Sequence, residues 1–339
     1  MKVKMKDIAE LAGVSPATVS LVLNNKPSRI SLSTQEHIRS IARELAIKNG
    51  SGTMTEGTGI KTIGFVLPDN RNYFFNMLAD GLNNYISSQG YTVFQCCSQN
   101  NSEKCIKAVE DLIIKNTDGI VVVPPYEIND NQDNINLRKC VEKSPIPIVL
   151  LDQAVYNLFT DFVTADNKQG GYLAAKHLLD LGHKKVGCIL GPKQNYTTRK
   201  RLEGYKRALA ESELPFDEKL VQYSGYDMKS GEKAAEILVK EGVSAIFATN
   251  DLLAAGVYKY AEKEHIKIPD QLSVVGYDNT IICDLLATKL TSIEQSADSM
   301  GAKAGEVVLG RIKGTSEEEA PRNYYFSPIL VERESTAKV

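Results

Sequence analysis

Two polar side chains follow short apolar runs, at points where the chain is predicted to leave the interior of a sheet. Asp278 comes just after the run 272–276, and Asn250 comes just after 245–248. A carboxylate at the mouth of a buried strand accepts two hydrogen bonds from hydroxyl groups, which is a common way to hold a sugar. Asn250 can cap the following helix and can also offer its amide to a ligand. Ligands of open α/β sheets bind beyond the carboxyl ends of the strands, so these residues indicate a binding site.

Asp166 is a third candidate, because it stands where the chain is predicted to pass from one group of strands to the next. It either contributes to the binding site or caps the helix that follows, and the sequence leaves both roles open.

The motifs of common hydrolases and metal enzymes are absent. The four histidines, at positions 37, 177, 183 and 265, form no H-E-x-x-H, and no Gly-x-Ser-x-Gly occurs. The gap from Gly52 to Gly57 fits a phosphate-binding loop, but Thr58 stands where that loop needs lysine. We therefore expect no enzyme activity, no metal and no cofactor other than a small-molecule effector.

Composition is that of a globular protein of two or three folding units, since 339 residues exceed one ordinary core. Hydrophobic residues make up 42% and charged residues 24% of the chain. The six cysteines show no C-x-x-C spacing, which favours reduced thiols over disulfides or zinc. No apolar run approaches a membrane span, and no signal-peptide pattern opens the sequence. A cytoplasmic location is expected.

Residues 61–339, called the body, alternate short β-rich runs with helical stretches. The predicted strands are 62–67, 92–97, 119–123, 146–151, 185–190, 245–248 and 272–276. This order predicts an α/β fold with parallel sheets in two lobes. We place lobe one at about 61–163 and 293–325, and lobe two at about 164–291 and 326–339. One further helix, 296–312, and short strands complete the body.

Residues 1–47, called the head, predict an all-α domain. Ile8, Leu11 and Ala12 recur at helical spacing, and Gly13 ends that helix. Ser15 is a natural N-cap, with Pro16 at the first helical position. A capping box at 33–36 opens a third helix through positions 38, 41, 42 and 45. Two short helices around a glycine-containing turn, braced by a third, predict a helix-turn-helix domain.

Charge is unevenly distributed along the chain. Residues 1–49 carry eight basic and four acidic side chains, a net charge of +4, while the remainder carries −6. A basic head on an acidic body suggests that the head meets a polyanion, although chance scatter of surface lysines could give the same number.

The head pattern D-I-A-x-L-A-G-V-S-x-x-T-V-S-x-x-L-N, at residues 7–24, closely resembles that of the LacI (lactose repressor) family. The order of elements in the body is similar to the periplasmic-binding-protein fold of the effector half of that family. The resemblance implies a DNA-binding transcription regulator, most simply a repressor, controlled by a small molecule between two lobes.

The resemblance also implies which head residues approach operator DNA. The second helix lies in the major groove, with Ser15, Thr18, Ser20 and Asn24 near phosphates or bases. Arg29 and Ser31 are candidates for backbone contacts. The family reads bases at the positions occupied here by Pro16, Ala17 and Leu21. These side chains make no hydrogen bonds, so base readout is expected to rest on few groups.

Residues 48–60 form a predicted glycine-rich linker. The hinge-helix sequence usual in the family is missing, and glycines make a short helix less stable, so no stable hinge helix is expected in the free protein. Met54 is the one candidate for a side chain that enters the minor groove, though an exposed linker methionine explains it more simply.

Five further ligand candidates in the body come from the resemblance. Arg201, within R-L-x-G, matches a family arginine that binds hydroxyls or a carboxylate. Tyr73 and Phe74 match positions that stack on ligands, although burial explains one of them equally well. Tyr226 matches an aromatic platform, and Thr197 lies in the same segment as Arg201.

These residues favour a sugar or sugar phosphate as effector, with a purine or nucleoside next. A homodimer is expected, because paired half-sites require paired heads. Some relatives answer to a phosphoprotein, so such a co-regulator is a possible partner. The alternative function is a solute-binding protein for transport or sensing, which would not need the head.

Overall fold

The computed structural model describes residues 5–23, 26, 30–48, 61–126, 132–155, 157–315 and 320–339. The chain divides into two compact units, Met1–Lys61 and Thr62–Val339. None of the helices within the described ranges is long and apolar enough to cross a membrane.

The described part of the first unit contains three helices: α1 (Met5–Ala12), α2 (Pro16–Leu23) and α3 (Leu32–Lys48). Gly13 has a φ of +65°, which ends α1 as predicted. The small core contains Ile8, Val19 and Ile38, with Val14 packed against it from the turn. The predicted helix-turn-helix arrangement is therefore confirmed.

Two details of the head differ from the sequence prediction. Leu11 is 60% exposed, because the buried face of α1 is centred on Ile8 and Ala9 and successive residues turn by about 100°. Helix α3 begins at Leu32, and its cap is Ser31, whose Oγ accepts the N–H of Thr34 at 3.2 Å. The capping box at 33–36 was therefore placed two residues too late.

The body begins with a first run of strands and helices. These are β1 (Thr62–Leu67), α4 (Tyr73–Ser88), β2 (Thr92–Cys97), α5 (Ser102–Ile114), β3 (Gly119–Val122), α6 (Gln132–Glu142), β4 (Ile148–Leu151) and β5 (Phe162–Ala165). The second run contains α7 (Asn167–Asp180), β6 (Val186–Leu190), α8 (Tyr196–Glu211), β7 (Val221–Tyr223), α9 (Met228–Lys240), β8 (Ala245–Ala248), α10 (Asp251–Lys263), β9 (Ser273–Tyr277), α11 (Ile282–Leu285) and β10 (Thr291–Glu294). A 3-10 turn, Glu218–Leu220, precedes β7. The chain ends with α12 (Ala297–Lys313), β11 (Asn323–Phe326) and β12 (Ile329–Val331).

These elements build two six-stranded sheets, one in each lobe. The order is β11-β5-β4-β3-β1-β2 in lobe one and β12-β10-β9-β8-β6-β7 in lobe two. Among the described strands, every pairing is parallel except that of β10 with β12. Apolar residues cover both faces of each sheet, so the predicted α/β fold with two parallel-sheet lobes is confirmed.

The chain passes between the lobes at three points, after β5, after β10 and after β11. Strands β5, β7 and β10 were not predicted, and two of them move the lobe boundaries. Strand β5 pairs with β4, so lobe one continues to Ala165, and β10 pairs with β9, so lobe two continues to Glu294. A polar residue interrupts each of these strands (Thr164, Gln222 and Ser292), whereas the equally short β8 is a continuous apolar run. Only their pairing partners assign these three strands to a sheet.

Candidate functional site

A small cavity of about 20 Å³, called the cleft, lies between the lobes at the carboxyl ends of their strands. Its described lining residues are Asn72, Phe75, Tyr126, Asp152, Gln153, Thr197, Arg201, Tyr226, Asn250 and Asp278. Such a volume holds about one water molecule. The two lobes are thus closed around a set of polar side chains.

Helix α8 carries Arg201 into this cavity, and glycines set the position of the helix. A Cβ on Gly171 would lie 2.1 Å from the carbonyl oxygen of Arg201, and one on Gly204 would lie 2.0 Å from that of Lys168. Helices α7 and α8 can therefore approach this closely only because both residues are glycine. Their close packing fixes the point at which Arg201 leaves the helix.

The guanidinium of Arg201 is buried and held from several sides. Its Nε donates to Asn167 Oδ1 at 2.8 Å, and Nη1 donates to the carbonyl oxygen of Thr249. The group lies over the ring of Tyr277, 3.7 Å from the ring centroid. Much of its hydrogen-bonding capacity is thus used within lobe two, so Arg201 organises the site as well as facing the cavity.

Asp278 follows β9 and lies close to this guanidinium. Its Oδ1 is 3.9 Å from Arg201 Nη2 and accepts a hydrogen bond from Gln295 Nε2 at 2.7 Å. Its φ of +102° is rare for a residue with a side chain, and such backbone geometry is typical of functional sites. Burial raises the pKa of the carboxyl well above its usual range, and the charge of Arg201 opposes that shift.

Asp152, which sequence reasoning missed, occupies the matching place in lobe one. It follows β4 directly and has a φ of +65°. Its Oδ2 accepts a hydrogen bond from Gln153 Nε2 at 2.9 Å, whereas its buried Oδ1 has no partner within the described part of the chain. Burial raises its pKa to about 6, against the opposing charge of Arg201. An aspartate directly after an apolar run was the available signal, as it was for Asp278.

Asn250 offers a donor from the opposite lobe. Its Oδ1 accepts the N–H of Leu253 at 2.8 Å, so the expected cap of α10 is present. Its buried Nδ2 has no partner among the described residues. A buried donor in this state costs about 1–3 kcal/mol, which favours a ligand atom that accepts from it.

Two contacts join the lobes beside the cavity. Gln153 Nε2 donates to Thr197 Oγ1 at 3.2 Å, and the rings of Tyr126 and Tyr226 meet edge to face at 5.1 Å. Tyr226 also shares a hydrogen bond of 2.8 Å with Thr198. These contacts between the lobes must break if a larger molecule is to enter the cavity.

Five of the eight predicted ligand residues line the cavity: Thr197, Arg201, Tyr226, Asn250 and Asp278. The other three lie elsewhere. Tyr73 is 46% exposed, Phe74 is buried in the core of lobe one, and exposed Asp166 caps α7 by accepting the N–H of Gln169.

At the start of α4 the cavity is lined instead by Asn72 and Phe75. Successive residues of a helix point about 100° apart, so only some of the consecutive aromatics 73–75 can face the cavity. The sequence alone does not show which of them do.

The second helix of the head presents the surface predicted to meet DNA. Ser15 Oγ accepts the N–H of Thr18 at 3.1 Å, while Pro16, Ala17 and Leu21 are exposed. Ser20 is half-buried. Ser31, also exposed, caps α3. Asn24 and Arg29 lie outside the described residues, as does the linker with Met54.

Comparison with known proteins decides the family. Residues 4–48 match the model of bacterial regulatory proteins of the lacI family, and residues 175–336 match a periplasmic-binding-protein-like domain. The transcriptional regulator DegA of Bacillus subtilis is 33% identical over 99% of both chains. The chain belongs to the LacI family. The transcriptional repressor PurR of Photobacterium profundum is 31% identical over 98% of both chains.

Solved structures agree with this LacI family assignment. A regulator of Enterococcus faecium with bound ribose is 28% identical, with a TM-score of 0.73, over 82% of this chain and all of that one. The lac repressor dimer bound to operator has a TM-score of 0.80 at 23% identity, over 99% of this chain and all of that one, and shows the shared fold. As a LacI family member, the protein is a DNA-binding transcription repressor with a ligand-binding body.

No group of three or more His, Cys, Asp or Glu side chains is placed to hold a metal ion within the described ranges.

Proposed function

We propose that a neutral, hydroxyl-bearing molecule, a sugar in the first instance, binds between the lobes and controls the repressor. The observation that carries this proposal is the pair of unpartnered groups, Asp152 Oδ1 in lobe one and Asn250 Nδ2 in lobe two. A hydroxyl can donate to the first and accept from the second. We propose Asp278, Arg201, Thr197 and Tyr226 as the remaining ligand contacts.

Charge favours a neutral ligand over a sugar phosphate. Two carboxylates, Asp152 and Asp278, line the cavity together with one guanidinium, and that guanidinium is already engaged by lobe two. A phosphate would bring two further negative charges close to these carboxylates. The bound ribose of the Enterococcus faecium regulator supports the same ligand class.

A cavity of about 20 Å³ cannot hold a monosaccharide, so binding requires the lobes to separate from the arrangement described. Ligand binding then shifts the equilibrium between two arrangements of the lobes. We propose that this shift changes the DNA affinity of a homodimer, because half-sites pair two heads.

A phosphoprotein co-regulator stays a prediction. The curated relatives are transcription regulators, so we propose that the cleft binds a ligand and catalyses no reaction. We also propose that the protein binds DNA in the cytoplasm.

A thermal-shift screen of neutral sugars, sugar phosphates and nucleosides tests the ligand class. A neutral sugar is expected to raise the melting temperature of the protein, and Asp278→Ala is expected to abolish that rise. Asp278→Asn, which tolerates positive φ, controls for backbone strain, and Asp166→Asn controls for loss of an aspartate outside the cavity. Stabilisation by a sugar that survives in Asp278→Ala would show that the site is wrongly assigned.

Electrophoretic mobility shift with the region upstream of the gene tests the DNA interaction. Binding is expected to weaken steeply as salt rises, because neutralised phosphates release counterions. Binding of one chain per half-site, with two chains per complex, is expected for the homodimer. Absent or salt-insensitive binding at this region would contradict it as the target.

A further inference from the structure

A second cavity, of about 270 Å³, lies beside the cleft and takes its walls from both lobes. Lobe one contributes part of the segment between β4 and β5 and the first residues of β5 and β11. Lobe two contributes Tyr196 and Arg199 from the first turn of α8. We propose that this cavity is an accessory binding site for a small aromatic carboxylate.

Aromatic and aliphatic side chains form the floor and sides of the second cavity. Phe162 and Tyr196 meet edge to face across the two lobes, with ring centroids 6.0 Å apart. Leu158 is half-buried beside them, and Tyr325 is 59% exposed at the edge. A flat ring can bury apolar surface against these groups at little cost in ligand entropy. Burial raises the pKa of Tyr196 to about 12, so its phenol stays neutral and repels no anion.

Arg199 supplies the charge that selects a carboxylate. It is exposed and lines the cavity, and no carboxylate among the described residues forms an ion pair with it. Three carboxyl groups lie near Tyr196, namely Asp166, Glu203 and Asp152, of which Asp152 lines the cleft. Glu203 is held by Lys200 at 2.9 Å, and Asp166 caps α7. An anionic ligand is therefore the available partner of this guanidinium.

The same two chain segments, one from each lobe, line both the cleft and the second cavity. Asp152 and Gln153 line the cleft, while positions 154, 155, 157 and 158 of the same segment line the second cavity. Likewise Thr197 and Arg201 face the cleft, while Tyr196 and Arg199 face the second cavity. A molecule here contacts the two segments that position the cleft. Binding at the two sites is consequently coupled, and the coupling is reciprocal.

Fluorine NMR titration of the full-length protein with para-fluorobenzoate tests the proposal. Saturable binding is expected, and Arg199→Met is expected to weaken it about fivefold, the effect of an exposed ion pair. Tyr325→Ala, a change at an exposed ring, is expected to weaken it as well. Lys240→Met, which removes an exposed cation of α9 outside the second cavity, is the control and should leave the affinity unchanged.

A neutral probe separates charge from shape. Binding of para-fluorobenzamide is expected to respond to Tyr325→Ala but not to Arg199→Met. The proposal is overturned if para-fluorobenzoate shows no saturable binding, or if its affinity is the same in wild type, Arg199→Met and Tyr325→Ala. It is equally overturned if Asp278→Ala abolishes the binding, because the probe would then occupy the cleft. Failure of every sugar in the thermal-shift screen leaves this result intact, so the two proposals fail separately.

Discussion

The cleft and the head use polar side chains in opposite ways. In the cleft, Asp152, Asn250 and Asp278 are almost completely buried, and Asp152 Oδ1 and Asn250 Nδ2 have no hydrogen-bond partner among the described residues. In the head, Ser15 and Ser31 are exposed and work at helix ends, while the exposed positions Pro16, Ala17 and Leu21 of α2 make no side-chain hydrogen bonds.

This difference indicates how each region gains affinity. A few desolvated groups can determine ligand binding, because each of them is costly to leave unpaired. DNA binding must instead add many weaker contacts, to which backbone and phosphate interactions contribute strongly. Single substitutions are therefore expected to have large effects in the cleft and small effects in the head.

The largest effect is expected from Arg201→Met. The change leaves Asp278 and Asp152 buried without the neighbouring cation, so the free energy of unfolding should fall by about 3–5 kcal/mol. Urea denaturation followed by near-UV circular dichroism measures it. Arg199→Met, on the same helix but exposed, should cost less than about 1 kcal/mol. Equal losses in the two variants would show that the buried guanidinium does not stabilise the cleft.

An intermediate effect, dependent on pH, is expected from Asp152→Asn. Because burial raises the pKa of Asp152 to about 6, the folded protein binds this proton more tightly than the unfolded chain does. The contribution of Asp152 to stability consequently falls as pH rises from about 4 to about 6. The variant should melt at a higher temperature than wild type near neutral pH, and the difference should vanish toward about pH 4.

The control for Asp152→Asn is Asp166→Asn, which changes an exposed aspartate and keeps a capping side chain. Burial lowers the pKa values of His177 and His183, which act in the opposite direction as pH falls. The measured quantity is therefore the difference in melting temperature between variant and wild type. A difference that does not change with pH would contradict the prediction.

The smallest effect is expected in the head, from Ser31→Ala. Loss of the hydrogen bond from Thr34 N–H should destabilise α3 by about 1 kcal/mol. Hydrogen exchange of the α3 amides in the full-length protein would detect faster opening. Ser40→Ala is the matched control, since Ser40 is exposed within α3 and lies away from its first turn. If the two variants exchange alike, Ser31 is not the functional cap.

Much of the fold could be predicted from the sequence because its signals are local. The turn at Gly13, the cap at Ser15 and the seven apolar runs each depend on residues close together in the chain. Strands β5, β7 and β10 were not predicted because a polar residue interrupts each short apolar pattern, unlike that of β8, and pairing with distant strands decides their place.

For the candidate site, the sequence by itself determined that polar groups such as Asn250 and Asp278 stand at strand ends, where open α/β sheets bind ligands. Only the tertiary structure decided that Asp152 joins them and that Phe75 rather than Tyr73 faces the cavity. It also decided how Arg201 is engaged and how closed the cleft is. Strand ends follow from local patterns, whereas the facing of a side chain and the approach of two lobes depend on contacts between residues far apart in sequence.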